Sequence, residues 1–388
     1  MKIRPLVVFS FLIVALLLTS VALVSSARDD GRDKRNDKDK VRVIAYTDKE
    51  FSTALENGCK VARQTRGLKA LNCPPETASE LGLEEDVRVF AMDSNANKQI
   101  RADIVQNSGN SGAGRKVVIL DTGYDYNHVE LSSSYLGGKD FVNDDDDPFD
   151  DNGHGSHVAG IITADGISSK AKGVAPAAGI ISGKVLAADG GGYFSDVVAA
   201  IYWAVDGPDG IFGTSDDFGA DAMSISLGTA PPYTYKGFCD SVLPSLTNAI
   251  KYARDNGVLV VVASGNSGSA GVSIPGCISY STTIGAVDSR NRIASFSGKG
   301  NSVDLTAPGV SIYSSWLGNS YAILSGTSMS TPMVSGTAAL IKFAHPDYTV
   351  SQLESALFKS AKDFGKKGKD ASYGWGRVDA YGAVNFVL

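Results

Sequence analysis

Five short runs that are apolar at nearly every position recur through the later two thirds of the chain. They are KVVIL before Asp121, GKVLAA around Val185, MSISL around Ile225, VLVVVA before Ser264 and TTIGAV around Ile284. A strand with one wet face alternates polar and apolar residues, whereas a run apolar throughout is covered on both faces, as parallel strands are. Segments with helical spacing separate the runs, from about Ser195 to Val205 and from about Asp240 to Asp255. Parallel neighbours need such crossovers, so the pattern predicts an α/β fold: a doubly wound parallel sheet with helices on both faces, spanning 93–388. Binding and catalysis in these sheets gather beyond the carboxyl ends of the strands. Asp121 directly follows one run, and Asn266 follows another within a few residues.

The region before this domain divides into three. Lys2 and Arg4 precede an apolar stretch from Leu6 to Val24, and Ser25, Ser26 and Ala27 follow it. That order marks residues 1–27 as a secretory signal cleaved after Ala27, with an uncleaved membrane anchor as the alternative. Residues 28–40 are almost wholly charged and read as a linker unable to bury apolar surface. Residues 41–92 form a small α+β unit that opens on the strand-like VRVIAY and closes on VRVFAM. A unit of about fifty residues is marginal alone.

The formal net charge of −6 excludes a phosphate backbone as partner, since that needs a basic surface. Asp far outnumbers Glu, which suits a hard cation. Four cysteines in an exported chain imply two disulfides, and their grouping favours Cys59 with Cys73 and Cys239 with Cys277 among three connectivities; buried free thiols are the alternative.

Three segments carry the chemistry. Asp121 lies in VVILDTG, at a strand mouth where a carboxylate needs a hydrogen-bonding or cationic partner. An aspartic protease would need a second carboxylate of the same kind, and no second Asp-Thr-Gly or Asp-Ser-Gly occurs. His154 lies in DNGHGSHVAG, flanked by Gly153 and Gly155, whose small size lets a substrate backbone approach the ring. His154 and His157 lack the carboxylate and third ligand of a zinc helix, so His154 is read as a base and His157 as a packed neighbour. Ser328 lies in GTSMSTPMVSGTAALI, near the start of a helix that is small or apolar on every side. Pro332 is placed in the first turn, where a missing N–H is tolerated. A serine at the positive end of such a helix can offer its own N–H to an oxyanion, and a plain N-cap serine is the alternative.

These segments, in the order Asp, His, Ser, closely resemble the subtilisin family, and VVASGNSG supplies the fourth motif, with Asn266 at the family's oxyanion-hole amide. The resemblance implies a secreted serine endopeptidase with Asp121, His154 and Ser328 as triad and Asn266 as oxyanion donor. It also implies that Ser226, Leu227 and Gly228 form one wall of the first specificity pocket and Ala263, Ser264 and Gly265 the other. No charged residue falls there, so the implied preference is broad and apolar, with Ser273 at the pocket floor. The chain ends on YGWGRVDAYGAVNFVL, the family's usual terminus. No domain is therefore expected beyond it, which speaks against a calcium-dependent adhesion protein. The intact motifs speak against a catalytically silent peptide-binding domain.

Two acidic segments resemble calcium loops of thermitase-like and archaeal relatives. Asp140, Asn143, Asp145 and Asp147 are the candidate ligands in the first, and Asp209, Asp216 and Asp217 in the second, for a structural Ca2+. At the family's strongest calcium site the chain departs from the pattern. Glu130 matches an acidic ligand, but TADGISSKAKG has Ile167 where Asn is usual and offers only Asp165. The unit 41–92 resembles a subtilisin propeptide through LEEDVRVFAM, which implies that it chaperones and inhibits its own enzyme and is cut off near Met92–Asp93. Protein substrates are the implied partners of a monomer, with no nucleic acid and no membrane after processing.

Overall fold

The computed structural model describes residues 40–65, 68–85 and 96–387. The expected signal, nearly all of the expected linker, the VRVFAM segment and the Met92–Asp93 junction lie outside the described residues. Two compact units result.

The small unit runs β1 (Val41–Ala45), α1 (Asp48–Glu56), β2 (Lys60–Thr65), β3 (Leu68–Cys73), α2 (Pro75–Glu80) and β4 (Glu84–Glu85). Its strands form an antiparallel sheet in the order β2-β3-β1-β4. Thr47 and Glu50 close a reciprocal capping box at the start of α1, which sets where the helix begins. Val43, Ala45, Ala54, Leu71 and Ala78 make a small core, and the Cys59–Cys73 disulfide is buried against it. A core of that size gains from a covalent staple.

The large unit continues with α3 (Ala96–Gln99), α4 (Ala102–Asn107), β5 (Lys116–Asp121), β6 (Tyr135–Asp140), α5 (His154–Thr163), β7 (Gly179–Lys184), α6 (Phe194–Asp206), β8 (Ala222–Ile225), β9 (Thr234–Tyr235) and α7 (Pro244–Asp255). Then follow β10 (Leu259–Ala263), β11 (Val272–Ser273), β12 (Thr282–Val287), β13 (Val303–Pro308), β14 (Ile312–Trp316), β15 (Ser320–Leu324), α8 (Thr327–Ala344), α9 (Val350–Ser360) and α10 (Ala380–Val384). Seven strands make one parallel sheet in the order β13-β12-β10-β8-β5-β7-β6. The chain starts in β5, builds β6 and β7 to one side, then crosses to β8 on the other, so the winding reverses at β5.

Successive residues of the central strands serve opposite faces. Val117 and Ile119 of β5 join the core beneath α5, α8, α9 and α10, while Val118 and Leu120 join the core beneath α6 and α7. This double burial is why the runs are apolar at every position. Helix α8 is buried from Met329 to Ile341 and threads the first core. The second disulfide, Cys239–Cys277, ties the turn before α7 to the loop after β11, so no free thiol remains among the described residues. No described helix is long and apolar enough to cross a membrane.

Candidate active site

Asp121 is the last residue of β5, at the reversal of the winding, and is 1% exposed. His154 opens α5, and its Nδ1 stands 2.6 Å from Asp121 Oδ1. With Nδ1–H committed to the carboxylate, Nε2 is the nitrogen left to take a proton. Burial alone would lower the His154 pKa, but the charge and hydrogen bond of Asp121, with a further contribution from Asp150, raise it above its ordinary value. His157 is different. It is fully buried, its Nε2 lies 3.2 Å from the carbonyls of Ile312 and Ala322, and burial with the neighbouring His154 charge pushes its pKa down to about 3. It is a neutral, packed neighbour.

The start of α5 is held by side chains from outside the helix. The N–H of Gly153 donates to Asp150 Oδ1, that of His154 to Asn152 Oδ1, that of Gly155 to Thr122 Oγ1 and that of Ser156 to Asp150 Oδ2. All four N–H groups that a helix start leaves unpaired are thereby satisfied. Two of the partners, Asp150 and Thr122, were not singled out from the sequence. Asp150 lies between the candidate calcium ligands and the His154 motif and belongs to neither set. The flanking glycines also have another role than the one expected. A Cβ on Gly155 would fall 2.1 Å from the Gly123 carbonyl, and one on Gly153 would fall 2.6 Å from the Trp316 ring. The chain's own packing by itself leaves no room for a side chain at either position.

Ser328 is the second residue of α8, and its hydroxyl donates to the Ser226 carbonyl at 3.0 Å. The Ser226 hydroxyl donates in return to the Ser328 carbonyl at 3.0 Å. That return bond explains Pro332, which lies in the second turn of α8 and not, as expected, in the first. The proline has no N–H for the carbonyl four residues earlier, which is that of Ser328, and Ser226 supplies the missing donor.

Asn266 is exposed, and its Oδ1 accepts both the N–H and the hydroxyl of Thr327, each at 3.0 Å. These two bonds turn Nδ2 outward as a free donor. A point one Cβ out from Gly326 is 3.4 Å from Asn266 Nδ2 and 3.7 Å from the Ser328 nitrogen, so two N–H donors converge on one space beside the Ser328 backbone. Such a pair can hold an oxyanion.

The two expected pocket walls meet. A Cβ on Gly228 or on Gly265 would each fall 2.4 Å from Ser273 Oγ, which places Ser273 between the 226–228 and 263–265 segments. Ser264 contributes its carbonyl to the Ser273 N–H, and the Gly265 N–H reaches Thr327 Oγ1. Ala263 ends β10 and is buried, while Leu227 is half-buried.

The acidic loops do not assemble a cation cage. Asp140 Oδ1 accepts the N–H groups of Val142 and Asn143, and its Oδ2 accepts the Asn143 amide. Asp145 accepts the Asp147 N–H, and Asp147 accepts the Tyr126 hydroxyl and the Phe149 N–H. In the 206–217 insertion, Asp216 accepts from the Asp209 N–H and the Thr214 hydroxyl, and Asp217 from the Gly213 N–H. No three His, Cys, Asp or Glu side chains among the described residues lie together as a metal site. At Glu130 the carboxylate is fully buried and accepts the N–H groups of Gly166, Ile167 and Ser168 and the Tyr321 hydroxyl. The loop carrying Ile167 closes on Glu130 directly.

Residues 112–376 match the profile of the Subtilase family. The chain is 38% identical to Subtilisin BL of Lederbergia lenta over 286 residues, 74% of this chain and 96% of that protein. It is 36% identical to an alkaline protease of Shouchella clausii over 305 residues, 78% of this chain and 73% of that one. It is 37% identical to a thermophilic serine proteinase of Bacillus sp. strain AK1 over 275 residues, covering 71% of this chain and 62% of the relative.

Proposed function

The chain belongs to the subtilase family, and from that premise we propose that it is a secreted, self-processing serine endopeptidase acting through Asp121, His154 and Ser328. The observation that carries the assignment is the 2.6 Å bond from His154 Nδ1 to Asp121, which fixes the tautomer with Nε2 as base. On substrate binding the Ser328 hydroxyl leaves the Ser226 carbonyl, gives its proton to His154 Nε2 and attacks the peptide carbonyl. The imidazolium formed is stabilised by Asp121. The carbonyl oxygen, now negative, is held by Asn266 Nδ2 and the Ser328 N–H. His154 then protonates the leaving amine, and water attacks the acyl-enzyme by the same route in reverse.

The pocket between Ser226-Leu227-Gly228 and Ala263-Ser264-Gly265 carries no charge and takes broad, apolar side chains, with Ser273 limiting its depth. Unit 41–92 is the propeptide and intramolecular inhibitor, and residues 1–27 direct export of what becomes a monomeric enzyme. Structural calcium at Asp140, Asn143, Asp145 and Asp147, and at Asp209, Asp216 and Asp217, is part of the reading as a stability element outside the chemistry.

Ser328→Ala tests the assignment. Hydrolysis of a denatured protein substrate should drop by about 10^6-fold, the scale on which a subtilisin responds to loss of its nucleophile. Labelling by an organophosphorus reagent should vanish while the fold is kept. Substantial proteolysis in the purified variant overturns the triad.

A further inference from the structure

We propose that Asp150 is a positioning residue of the triad: a second buried carboxylate that locks His154 onto Asp121 and adds its negative charge behind the imidazole. The inference rests on the triad reading above and extends it to a residue that neither the motif nor the comparisons assign.

Asp150 is fully buried and has no cationic partner among the described residues. It is instead ringed by donors. Oδ1 accepts the Thr122 hydroxyl at 2.8 Å and the N–H groups of Asn152 and Gly153 at 3.0 and 2.9 Å; Oδ2 accepts the Ser156 N–H and hydroxyl at 2.8 and 2.6 Å. Burial alone would raise its carboxyl pKa, but the bonds from Gly153, Ser156 and Asn152 overrule that and hold it below the usual value, so it is ionised at neutral pH.

The donors come from the two segments whose separation sets the His154–Asp121 distance. Thr122 follows Asp121 in the chain and gives its own N–H to Asp121 Oδ1. Gly153 and Ser156 flank His154. One carboxylate therefore clasps the end of β5 to the start of α5, and Thr122 Oγ1 doubles the clasp by accepting the Gly155 N–H. On the far side Lys184, 1% exposed, donates to the Thr122 carbonyl and to Asp151, fixing the same turn from β7. A shift of about 1 Å in such a pair is costly for proton transfer. The charges around His154 are thus Asp121 on β5, Asp150 and Asp151 in the preceding loop, Lys184 on β7 and neutral His157 on its own helix.

Asp150→Asn keeps the shape, removes the charge and sets an amide N–H2 against donors. Activity on an apolar peptide anilide should fall about tenfold or more in kcat with KM nearly unchanged. The acid limb of kcat/KM should move down by about half a pH unit, because the imidazolium loses a stabilising charge. Ser156→Ala, which keeps the charge, should leave that limb in place. An unmoved acid limb in folded Asp150→Asn overturns the proposal. If Asp150→Asn does not fold, Thr122→Val decides. It should lower kcat with little change in KM, Thr122→Ser should restore it, and equal kcat in the two variants overturns the proposal. Ser328→Ala measured alongside separates the premises. If that variant is active, the triad reading falls and this one with it; if it is inactive and the acid limb is unmoved, only the role of Asp150 falls.

Discussion

His154 and His157 share a helix and differ by one turn, yet their surroundings hold them in opposite charge preferences. The ring beside Asp121 is pulled toward the imidazolium, and the ring between the carbonyls of Ile312 and Ala322 is kept neutral. The consequence for stability follows from linkage. His157 titrates near its ordinary 6.5 when unfolded and at about 3 when folded, so between those values the unfolded chain holds more protons. Stability must therefore fall as pH drops from about 6.5 toward 3, by up to about 1.4 kcal/mol per pH unit from this group. His154 contributes with the opposite sign: its stabilisation is present below its unfolded pKa and is lost as pH rises through the raised folded value. In a Ser328→Ala background, His157→Gln should flatten the acid side of the stability curve measured by denaturant titration between pH 4 and 6.5. A slope unchanged by the substitution contradicts the assignment of His157 as a buried neutral ring. The sequence set the two histidines apart, and the buried surroundings of His157 agree with its reading as a packed neighbour. It did not show Asp150 or Thr122, because a hydrogen-bonded clasp has no periodicity and an acidic residue in an acidic run draws the reading toward a cation.

At the scale of elements, the strands read most easily were those covered on both faces. β5, β8, β10 and β12 lie inside the sheet and appear as continuous apolar runs, whereas β7 lies earlier than expected: it is GIISGK and shares only Gly183 and Lys184 with the GKVLAA run. β6 and β13 are the two edges of the sheet. β6, YLGGKD, is only partly covered and carries two glycines, so nothing in its composition marks a strand. Helix α7 starts at Pro244, four residues later than its apolar spacing suggested, because Pro244 sets the first turn. Helix α8 holds the plainest conflict between local rule and structure, a proline in its second turn. The resolution is external: Ser226 at the end of the β8 run donates to the stranded Ser328 carbonyl. Ser226→Ala should leave that carbonyl without its partner, at a cost of about 1–3 kcal/mol. The Ser328 hydroxyl would keep its acceptor, since that is the backbone carbonyl of residue 226. Thermal unfolding of the inhibited enzyme checks this, and a melting temperature equal to that of the parent contradicts it.

At the scale of the whole molecule, two questions concern what happens before the enzyme works. The first is the ion. Calcium bound at the Asp140, Asn143, Asp145 and Asp147 loop of the folded chain alone would stabilise that state by mass action. Stripping the metal with a chelator should lower the melting temperature of the inhibited enzyme relative to the calcium-loaded form, and identical melting curves contradict calcium binding. The second is maturation. A large sheet of parallel strands is built from contacts distant in sequence and folds slowly, which makes a folding template in the same chain useful. The disulfide-stapled unit proposed for that role has its own sheet, capping box and core. On the proposed reading, the folded enzyme then releases it. The junction resembles the end of family propeptides. Met92 offers a flexible apolar side chain suited to an uncharged pocket, and the following DSNANKQ is polar. Cutting by the chain's own site makes the reaction intramolecular, where orientation alone can contribute several kcal/mol. The rate of cutting should therefore be independent of enzyme concentration across a wide dilution range, and purified Ser328→Ala should stay intact at this junction. N-terminal sequencing of mature enzyme should find a start between about Ala91 and Asn97. A rate that scales with concentration makes the cut intermolecular, and normal processing of the Ser328→Ala protein assigns it to another protease. Either result overturns self-maturation within the single chain.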